Sequence, residues 1–529
     1  MNFTVSFAEL MPLAPVMIVA LTAVVVMLLT AIKRNHNLIA TVSVIGLNLA
    51  LANILLSLFG GALVPHNVMN LFIVDPFSLL YQLIILVAAL ACCTLSHAYI
   101  DSYKDNREEL YLLMLCSVAG AMLMVSSSHL ASFFISLELM SIPVYGLLAY
   151  THQRSKSLEA GVKYLVLSAT ASAMLLMGMA YIYSVLGSLS FAGQVDDMFW
   201  AITKTQDPQM MMALQAYLPQ LGEKFTSVFG ILGLGMIVAA VAFKLSLAPF
   251  HKWTPDVYAG APAPIATFLA TVAKVAMIGL FVRYLLSSGL ILADSFVTLL
   301  TIIAVLSILA GNLLAVRQVN LKRILAYSSI AHFGYLLVAI ISAKNTDFLQ
   351  LQGFATFESV NIYVITYVLT TIGAFGVVTL MSSPYNNTDE AGSLAEYRGL
   401  FWRRPVLTAT LTVMMLSLAG IPLTAGFIGK FMVVKAAVAG QEWFLAAMVI
   451  VGSGIGLYYY LRVMVVLYMT PPETPRIDAD KQWGQKMGGI MVLIVAAAVL
   501  VIGVYPDPII KLALETEILS PLHFMLSQQ

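Results

Sequence analysis

Charged and titratable side chains lie deep inside several long apolar stretches of this sequence. Glu138 is central in HLASFFISLELMSIPVYGLLAY, and Lys274 is about twelve residues from either end of its own stretch. The full set is Glu138, Lys163, Lys244, Lys274, His332 and Lys430. A carboxylate and several lysines in series can pass protons, because a partly desolvated lysine can gain and lose a proton near neutral pH. The pattern therefore predicts a proton relay.

These charges are costly in a bilayer unless they face one another or water. One charged group at mid-membrane costs about 2.5–3.5 kcal/mol. Four lysines and one glutamate would together cost on the order of 10 kcal/mol, which equals the stability of a whole domain. We therefore expect them to line one polar axis inside the protein. A static Glu–Lys lock between helices remains an alternative for any single residue, and His332 could simply bond a carbonyl or the hydroxyl of Ser328 or Ser329.

The elements that must position these side chains are helices that cross a membrane. Of the 529 residues, 60% are apolar and 10% are charged, whereas a soluble domain has about 25% charged residues. This composition excludes a soluble globular protein and a disordered one. The net charge of +1 gives no electrostatic basis for nucleic-acid binding.

Cofactor sites are not expected in this chain. The three cysteines, Cys92, Cys93 and Cys116, lie in apolar runs, and the sequence has no CxxC pair or Cys/His ligand set. Iron–sulfur, zinc and disulfide-scaffold sites therefore lack their usual ligands. No redox centre is expected in the chain itself.

About fourteen apolar runs are long enough to cross a bilayer as helices, which need about 20 residues each. They lie near 11–32, 38–60, 77–100, 110–128, 130–150, 158–187, 226–258, 262–286, 293–314, 322–343, 352–381, 405–438, 442–470 and 486–506. Their polarity does not alternate, so transmembrane β-strands do not fit. The sequence predicts an all-α polytopic membrane protein.

The seventh and twelfth runs are over-long and interrupted. Pro249 should end the seventh helix just after Lys244, and the segment GIPLTAG should break the twelfth a few residues before Lys430. A lysine is favourably placed near carbonyls that are freed at a helix C-terminus, and unwound backbone at membrane depth lines cavities. Because the breaks are five spans apart, their helices run in opposite directions, which indicates two inverted five-helix repeats.

This topology divides a single membrane domain, 1–529, into four parts. They are three N-terminal helices (1–105), the first repeat with helices 4–8 (106–288), the second repeat with helices 9–13 (289–471), and the last helix with the C-terminal end (472–529). The longest polar connections, 190–225 and 382–404, are too short to fold alone.

Basic residues in the loops orient the bundle. One set of alternate loops carries most of the loop lysines and arginines, and the opposite set carries only four. These four are Lys204, Lys224, Lys344 and Lys511. Because cytoplasmic loops are the basic ones, both termini are predicted to be periplasmic. Three further basic residues lie near the ends of runs and should reach the headgroups with their side chains. They are Arg283, Lys435 and Arg462.

Four long segments resemble the antiporter-like proton-pumping subunits of respiratory complex I, the NADH:quinone oxidoreductase. They are SLEAGVKYLVLSATAS (157–172), FKLSLAPFHKWTPDVYAGAPAPIATFLATVAKVA (243–276), NLKRILAYSSIAHFGYLLVA (320–339) and MLSLAGIPLTAGFIGKF (415–431). The resemblance extends over nearly the whole chain. It implies fourteen spans, two inverted five-helix repeats with discontinuous seventh and twelfth helices, and a central hydrophilic axis.

The resemblance also implies a place for each candidate residue. Glu138 matches the fifth-helix glutamate, Lys163 the sixth-helix lysine that modulates it, Lys244 and Lys274 the lysines of the seventh and eighth helices, His332 a tenth-helix histidine on the axis, and Lys430 the twelfth-helix lysine of the exit half. The chain is then expected to lack the long lateral helix of the largest family member.

The function implied is that of one subunit of a proton-translocating enzyme in the bacterial inner membrane. Protons would move along the relay, driven by quinone reduction elsewhere in the complex. The implied partners are the lipid bilayer and other membrane-arm subunits, chiefly the M-type and K-type neighbours, with FMN, iron–sulfur clusters and quinone held in partner subunits. Two alternatives stay open, namely a subunit of a multisubunit sodium/proton antiporter and a passive scaffold whose buried charges lock helices together.

Overall fold

Helices make up nearly all of the described part of the chain, as the apolar runs predict. The computed structural model describes residues 7–60, 66–101, 103, 105–191, 227–342, 354–382, 390–473 and 483–516. The α-helices are Phe7–Leu10, Ala14–Ile32, His36–Phe59, Pro76–Ile100, Glu109–Ser126, Leu130–Leu148, Ser155–Leu186, Val228–Leu245, Trp253–Gly260, Ala263–Ser288, Asp294–Val316, Leu321–Ser342, Phe354–Met381, Leu400–Arg403, Pro405–Ala419, Ala425–Ala439, Trp443–Tyr468, Trp483–Val504 and Asp507–Glu515. Short 3₁₀ helices cover Met11–Leu13, Leu290–Leu292 and Leu394–Tyr397, and strands His66–Val68 and Phe72–Val74 pair as an antiparallel hairpin.

Within these residues, 13 helices are long and apolar enough to cross a membrane. This confirms an all-α polytopic membrane fold. The twelfth predicted run instead forms two helices of 15 residues each, Pro405–Ala419 and Ala425–Ala439.

The seventh run is interrupted at the predicted place. The helix Val228–Leu245 ends one residue after Lys244, and a second helix, Trp253–Gly260, continues the run. Ser246 caps the first helix in a left-handed conformation with φ 63°. The backbone between the two helices therefore leaves carbonyls of the first one free to bind side chains.

The break in the twelfth run depends on a glycine. Gly420 has φ 84° and its N–H closes the end of Pro405–Ala419, and glycine adopts this left-handed conformation without steric cost. Gly426, which the sequence places in the break, is instead the second residue of Ala425–Ala439.

Three helices form the centre of the bundle. Ala263–Ser288, Leu321–Ser342 and Phe357–Met381 have 100%, 94% and 89% of their most apolar stretches buried inside the protein. The N-terminal spans, with 33% and 28%, lie at the periphery. Side chains on the three central helices therefore face protein rather than lipid.

The first two helices of each predicted repeat pack closely on each other. The pairs are Glu109–Ser126 with Leu130–Leu148, and Asp294–Val316 with Leu321–Ser342. In both pairs a glycine permits the close approach, because a Cβ on Gly120 or Gly311 would collide with the backbone of the second helix.

The basic loops converge at one end of the bundle, which we term the basic end. There Arg154 forms an ion pair with Glu390 at 3.0 Å, and Arg323 pairs with Asp256. The predicted orientation of the spans stays a prediction. Lys204, Lys224 and Lys344 lie outside the described residues, as does most of the predicted connection 190–225.

Candidate functional site

Glu138 and Lys244 each bind serine hydroxyls on two neighbouring helices. The buried Lys244 ammonium donates to Ser141 Oγ and Ser168 Oγ, both at 2.7 Å. Ser172 Oγ donates to the Glu138 carboxylate. Ser141 lies one helical turn from Glu138 on one helix, and Ser168 lies one turn from Ser172 on the next. The two serines that bind Lys244 therefore lie on the same two helices as Glu138 and its partner Ser172.

Lys274 binds the carbonyl that the seventh break exposes. Its Nζ donates to the backbone oxygen of Leu245 at 3.1 Å and to Ser329 Oγ at 3.0 Å. The sequence predicts that Lys244 lies near this carbonyl, but the hydrogen bonds of Lys244 go to serines. Lys274 therefore binds the backbone of the residue that follows Lys244 in the sequence.

His332 continues the chain through tyrosines rather than through its neighbouring serines. Its Nδ1 lies 2.7 Å from the Tyr363 hydroxyl, and its Nε2 lies 3.2 Å from the Tyr460 hydroxyl. Ser329, which binds Lys274, also shares a hydrogen bond of 2.7 Å with Tyr367, whose ring centroid is 5.6 Å from that of His332. Imidazole and hydroxyl groups both donate and accept, so this segment can carry a proton in either direction.

Lys430 repeats the arrangement of Lys274 at the twelfth break. Its Nζ donates at 3.0 Å to the backbone oxygen of Ala419, the last residue of the first helix of that run. The same ammonium lies 5.5 Å from the ring centroid of Tyr335, three residues after His332. A lysine therefore holds the freed carbonyl at both breaks.

The six predicted site residues fall into two groups. Lys244, Lys274, His332 and Lys430 are buried, and Glu138 is half-buried at one end of the chain they form. Lys163 lies apart, since it is exposed and pairs with Glu159 at 2.6 Å and with Asp256 at 3.5 Å. The effect of Lys163 on Glu138 that the resemblance implies stays a prediction.

A second buried charge cluster was missed by the sequence reasoning. Glu390 accepts from the Tyr99 hydroxyl at 2.6 Å and from the Ala263 N–H at 3.0 Å, and it pairs with both Arg154 and Lys322. Burial alone raises the pKa of Glu390, but the charges of Lys322 and Arg154 outweigh it and hold that pKa below its ordinary value. The sequence signal for this cluster is Lys322, a charged residue at the start of the predicted run 322–343.

A cavity of about 510 Å³ lies beside this cluster at the basic end. Its lining includes Lys163, Asp256, Lys322, Arg323 and Glu390. Glu390 also contacts the first residue of Ala263–Ser288, the helix that carries Lys274. The cavity therefore reaches the end of a central helix of the site.

The prediction that Arg283 reaches the headgroups is wrong. Its side chain is fully buried and pairs with Asp75, with Nη2–Oδ1 at 2.7 Å and Nη1–Oδ2 at 3.1 Å. Arg462 is half-buried and donates to the backbone oxygen of Val316. Both arginines find carbonyl or carboxylate partners inside the bundle, which costs less than a solitary charge in lipid.

Metal ligands do not gather in the part of the chain that the structure describes. No group of three or more His, Cys, Asp or Glu side chains there could hold a metal ion. The chemistry that the described site supports is the movement of protons between lysine, serine, tyrosine, histidine and glutamate side chains.

Known proteins are similar to this chain in sequence and in fold. The family model described as NADH:quinone oxidoreductase/Mrp antiporter, TM matches residues 127–456. The chain is 75% identical to NADH-quinone oxidoreductase subunit N of Acinetobacter baumannii (strain AB0057) over 529 residues, which is 100% of both chains. It is 30% identical to a chain of respiratory complex I from Thermus thermophilus with bound Aureothin, with a TM-score of 0.75 over 94% of this chain and 98% of that one.

A more distant structure shares the fold. A chain of the Mrp complex from Dietzia sp. DQ12-45-1b has a TM-score of 0.78 over 96% of this chain and 97% of that one, at 19% identity. At that identity the likeness concerns the fold alone.

Proposed function

The chain belongs to the family of NADH-quinone oxidoreductase subunit N, and from this membership we propose that it moves protons across the membrane along its buried relay. It is a subunit of the oxidoreductase complex with an antiporter-like membrane fold. The proton movement is driven by quinone reduction elsewhere in that complex. The chain contributes the translocation path, and the redox chemistry belongs to partner subunits.

One observation carries the proposal, namely the row of buried titratable groups in the centre of an apolar bundle. Lys244 lies at the end of the helix that the seventh break terminates, Lys274 binds the carbonyl of the next residue, and the Ser329–Tyr367 pair extends from Lys274 toward the ring of His332. A buried charge in the membrane is expensive, so a row of them supports a transport path rather than packing.

The proposed sequence of events is electrostatic. A disturbance from the quinone-reducing part of the complex changes the interaction between Glu138 and Lys244. Lys244 and Lys274 then exchange a proton through the serine hydroxyls and water. The proton passes by His332 and its tyrosines to Lys430, which releases it on the periplasmic side. Each transfer moves one proton from a protonated donor to a neutral acceptor.

Several finer features belong to the same proposal. We place the chain in the bacterial inner membrane with both termini periplasmic and the basic end cytoplasmic. We count Pro405–Ala419 and Ala425–Ala439 as one discontinuous span, which makes fourteen, and we assign helices 4–8 (106–288) and 9–13 (289–471) to two inverted repeats. The matching helix pairs with their glycines support this assignment.

The partners follow from the family. We propose that the M-type and K-type subunits flank the chain in the membrane arm. FMN, iron–sulfur clusters and quinone are proposed to reside in partner subunits, and the sequence, which has three cysteines and no CxxC pair, supports that division. Purification of the tagged chain should bring flavin and iron–sulfur proteins with it. Sodium-dependent transport without a link to NADH would favour the multisubunit antiporter instead.

Exchange of Glu138 for glutamine is the direct test of the proposed relay. Glu138→Gln keeps the shape of the side chain and its contact with Ser172 but removes the charge that faces Lys244. We expect NADH-driven proton pumping into vesicles to fall at least about tenfold, equivalent to about 1.4 kcal/mol on the limiting transfer. The matched control is Glu515→Gln at an exposed position of the C-terminal helix. Normal pumping by assembled Glu138→Gln complex would contradict the relay.

Lys163→Met should have a much smaller effect. Lys163 is exposed and bound to Glu159 and Asp256 at the edge of the basic-end cavity. Because solvent screens exposed ion pairs, the pumping rate should fall by less than about fivefold. Initial rates of NADH-driven acidification measure this, and a loss as large as that of Glu138→Gln would instead place Lys163 within the relay.

A further inference from the structure

Two buried lysines of the relay lie over aromatic rings that come from one helix. The Nζ atom of Lys274 is 4.6 Å from the ring centroid of Phe333, and that of Lys430 is 5.5 Å from the ring centroid of Tyr335. Both distances are within the range of about 6 Å over which the negative face of a ring attracts a cation. Phe333 and Tyr335 are two positions apart on Leu321–Ser342, about 200° around the helix. The helix therefore presents one ring to each lysine.

The other contacts of the two ammonium groups are with uncharged oxygens. Lys274 donates to the backbone oxygen of Leu245 and to the hydroxyl of Ser329, and Lys430 donates to the backbone oxygen of Ala419. A buried ammonium needs electrostatic partners, because leaving water is costly for a charged group. In the described part of the chain, a ring face takes the place that a carboxylate would have in an ion pair.

Lys244 differs from these two lysines because it has both kinds of partner. Its ammonium lies 5.7 Å from the ring centroid of Tyr164, and the charge of Glu138 also acts on it. Loss of the ring at Lys244 would leave the carboxylate in place. We therefore expect ring faces to matter most at Lys274 and Lys430.

The ring of Tyr335 is fixed beside Lys430 by hydrogen bonds at its far side. Asn312 Nδ2 donates to the Tyr335 hydroxyl at 2.9 Å, and Asn312 Oδ1 accepts from the Tyr459 hydroxyl at 3.1 Å. A Cβ on Gly452 would lie 2.8 Å from the Tyr335 hydroxyl oxygen and 3.1 Å from Asn312 Nδ2, so this glycine makes room for the anchor. The Tyr335 ring cannot turn away from Lys430 without breaking these contacts.

The ring of Phe333 is fixed beside Lys274 by packing. It is buried, and its centroid lies 5.3 Å from that of Tyr367 in an edge-to-face arrangement. The Tyr367 hydroxyl shares a hydrogen bond with Ser329, which itself binds Lys274. Ring and hydroxyl partners of Lys274 therefore form one packed unit.

We propose that Phe333 and Tyr335 are positioning residues whose ring faces hold the protonated forms of Lys274 and Lys430 in place of a carboxylate. A ring face attracts the ammonium and not the neutral amine, and the attraction is largest where water is excluded. Each ring therefore sets how readily its lysine takes up and gives up a proton. This inference rests on the proposed function, because it names groups that tune two lysines of the proposed relay.

Titratable side chains on the helices packed around each lysine also affect the pH at which that lysine changes charge. The ring substitutions below leave all of them unchanged. Around the helix of Lys274 they are Cys92, Glu138, Lys244, Tyr258, His332 and Tyr367. Around and on the helix of Lys430 they are His332, Glu358, Tyr363, Lys435, Tyr460 and Lys486.

The experiment replaces Phe333 by phenylalanines that carry one, two or three fluorine atoms on the ring. Fluorine withdraws electrons and weakens the negative ring face, while the shape of the ring is nearly kept. Vesicles that contain the whole purified complex are supplied with NADH, and protons pumped per NADH oxidised are recorded as a function of pH. Lys274 must be protonated before it can pass a proton on. The pH at which pumping falls to half on the alkaline side should therefore drop with each fluorine, by about one pH unit over the series.

Tyr335 provides an independent measurement on the other lysine. Tyr335→Leu removes the ring, so the alkaline midpoint of pumping should drop by about one pH unit. Tyr335→Phe keeps the ring beside Lys430 and should restore the wild-type midpoint. The matched control is Tyr81→Leu, which removes a fully buried ring that packs on Phe77, and its midpoint should equal that of wild type. Should Tyr335→Leu not assemble, fluorinated phenylalanines at position 335 are compared with Tyr335→Phe.

The outcomes distinguish the ring inference from the relay itself. A constant midpoint across the fluorinated series at position 333, or equal drops for Tyr335→Phe and Tyr335→Leu, would overturn the role proposed for that ring. Glu138→Gln in the same vesicles tests the relay. If the relay is wrong, Glu138→Gln pumps normally. If only the ring inference is wrong, Glu138→Gln loses pumping while the fluorinated complexes keep the wild-type midpoint.

Discussion

Replacement of Lys274 by methionine should reduce NADH-driven proton pumping per assembled complex at least about tenfold. The Lys274 ammonium bridges the freed carbonyl of Leu245 and the hydroxyl of Ser329, which leads to Tyr367 and His332. A methionine thioether neither carries a proton nor bridges these groups. The relay would lose the group that contacts both the seventh break and Ser329.

An arginine at the same position separates a relay from a lock. Lys274→Arg keeps a positive charge and hydrogen-bond donors, so a static lock would be largely preserved. Because a guanidinium does not release its proton, a relay would fail. We therefore expect assembled Lys274→Arg complex to pump as poorly as Lys274→Met. The control is Lys511→Met at an exposed position, which should pump normally. Normal pumping by Lys274→Arg would remove Lys274 from the relay.

Replacement of Glu390 by glutamine should destabilise the complex by about 3–5 kcal/mol, the cost of breaking a buried ion pair. Glu390 serves two cations, Arg154 and Lys322, and also accepts from Tyr99 and from the first N–H of the helix that carries Lys274. Glu390→Gln removes the carboxylate that pairs with the buried Lys322 and the half-buried Arg154. Lys322→Met should cost less, because Arg154 still pairs with the carboxylate.

Thermal unfolding of the purified complex provides the measurement. The ordinary pKa of Glu390 is 4.5, and it is lowered in the folded chain by Lys322 and Arg154 against the effect of burial. A carboxylate with a lowered pKa contributes stability that is complete above its ordinary value and is lost as the pH falls through the lowered value. The difference between wild type and Glu390→Gln should thus be constant from neutral pH to about pH 5 and shrink in stronger acid. Equal stability of Glu390→Gln and wild type at neutral pH would show that the cluster does not hold the helices together.

Both breaks show how local sequence and tertiary contacts combine. The breaks themselves could be predicted, since Pro249 and the segment GIPLTAG disrupt a helix whatever surrounds them. The side chain that binds the freed carbonyl could be predicted at the twelfth break but not at the seventh. Lys430 meets the carbonyl of its own run, whereas at the seventh break Lys274 arrives from another helix.

The charged residues near the ends of predicted runs show that position along the chain does not by itself predict burial. Arg283 and Lys163 are both near a predicted run end, yet Arg283 is fully buried on Asp75 and Lys163 is exposed beside Glu159. The sequence predicts the opposite, with Arg283 at the headgroups and Lys163 inside the bundle. Position along a helix sets how far a residue lies from the membrane surface, but the face of the helix on which it lies decides whether it meets protein or lipid.

The sequence by itself determined the helical membrane fold, the places of the two breaks and four of the buried titratable side chains, namely Lys244, Lys274, His332 and Lys430. Those features depend on local properties, which are the apolar length of each run, the backbone limits of proline and glycine, and the free-energy cost of a charge in lipid. Only the tertiary structure decided which buried groups face one another, as in the cluster around Glu390 and the contacts of Arg283 and Arg462. The physical reason is that these contacts join residues far apart in the chain, and they form only when particular faces of packed helices meet.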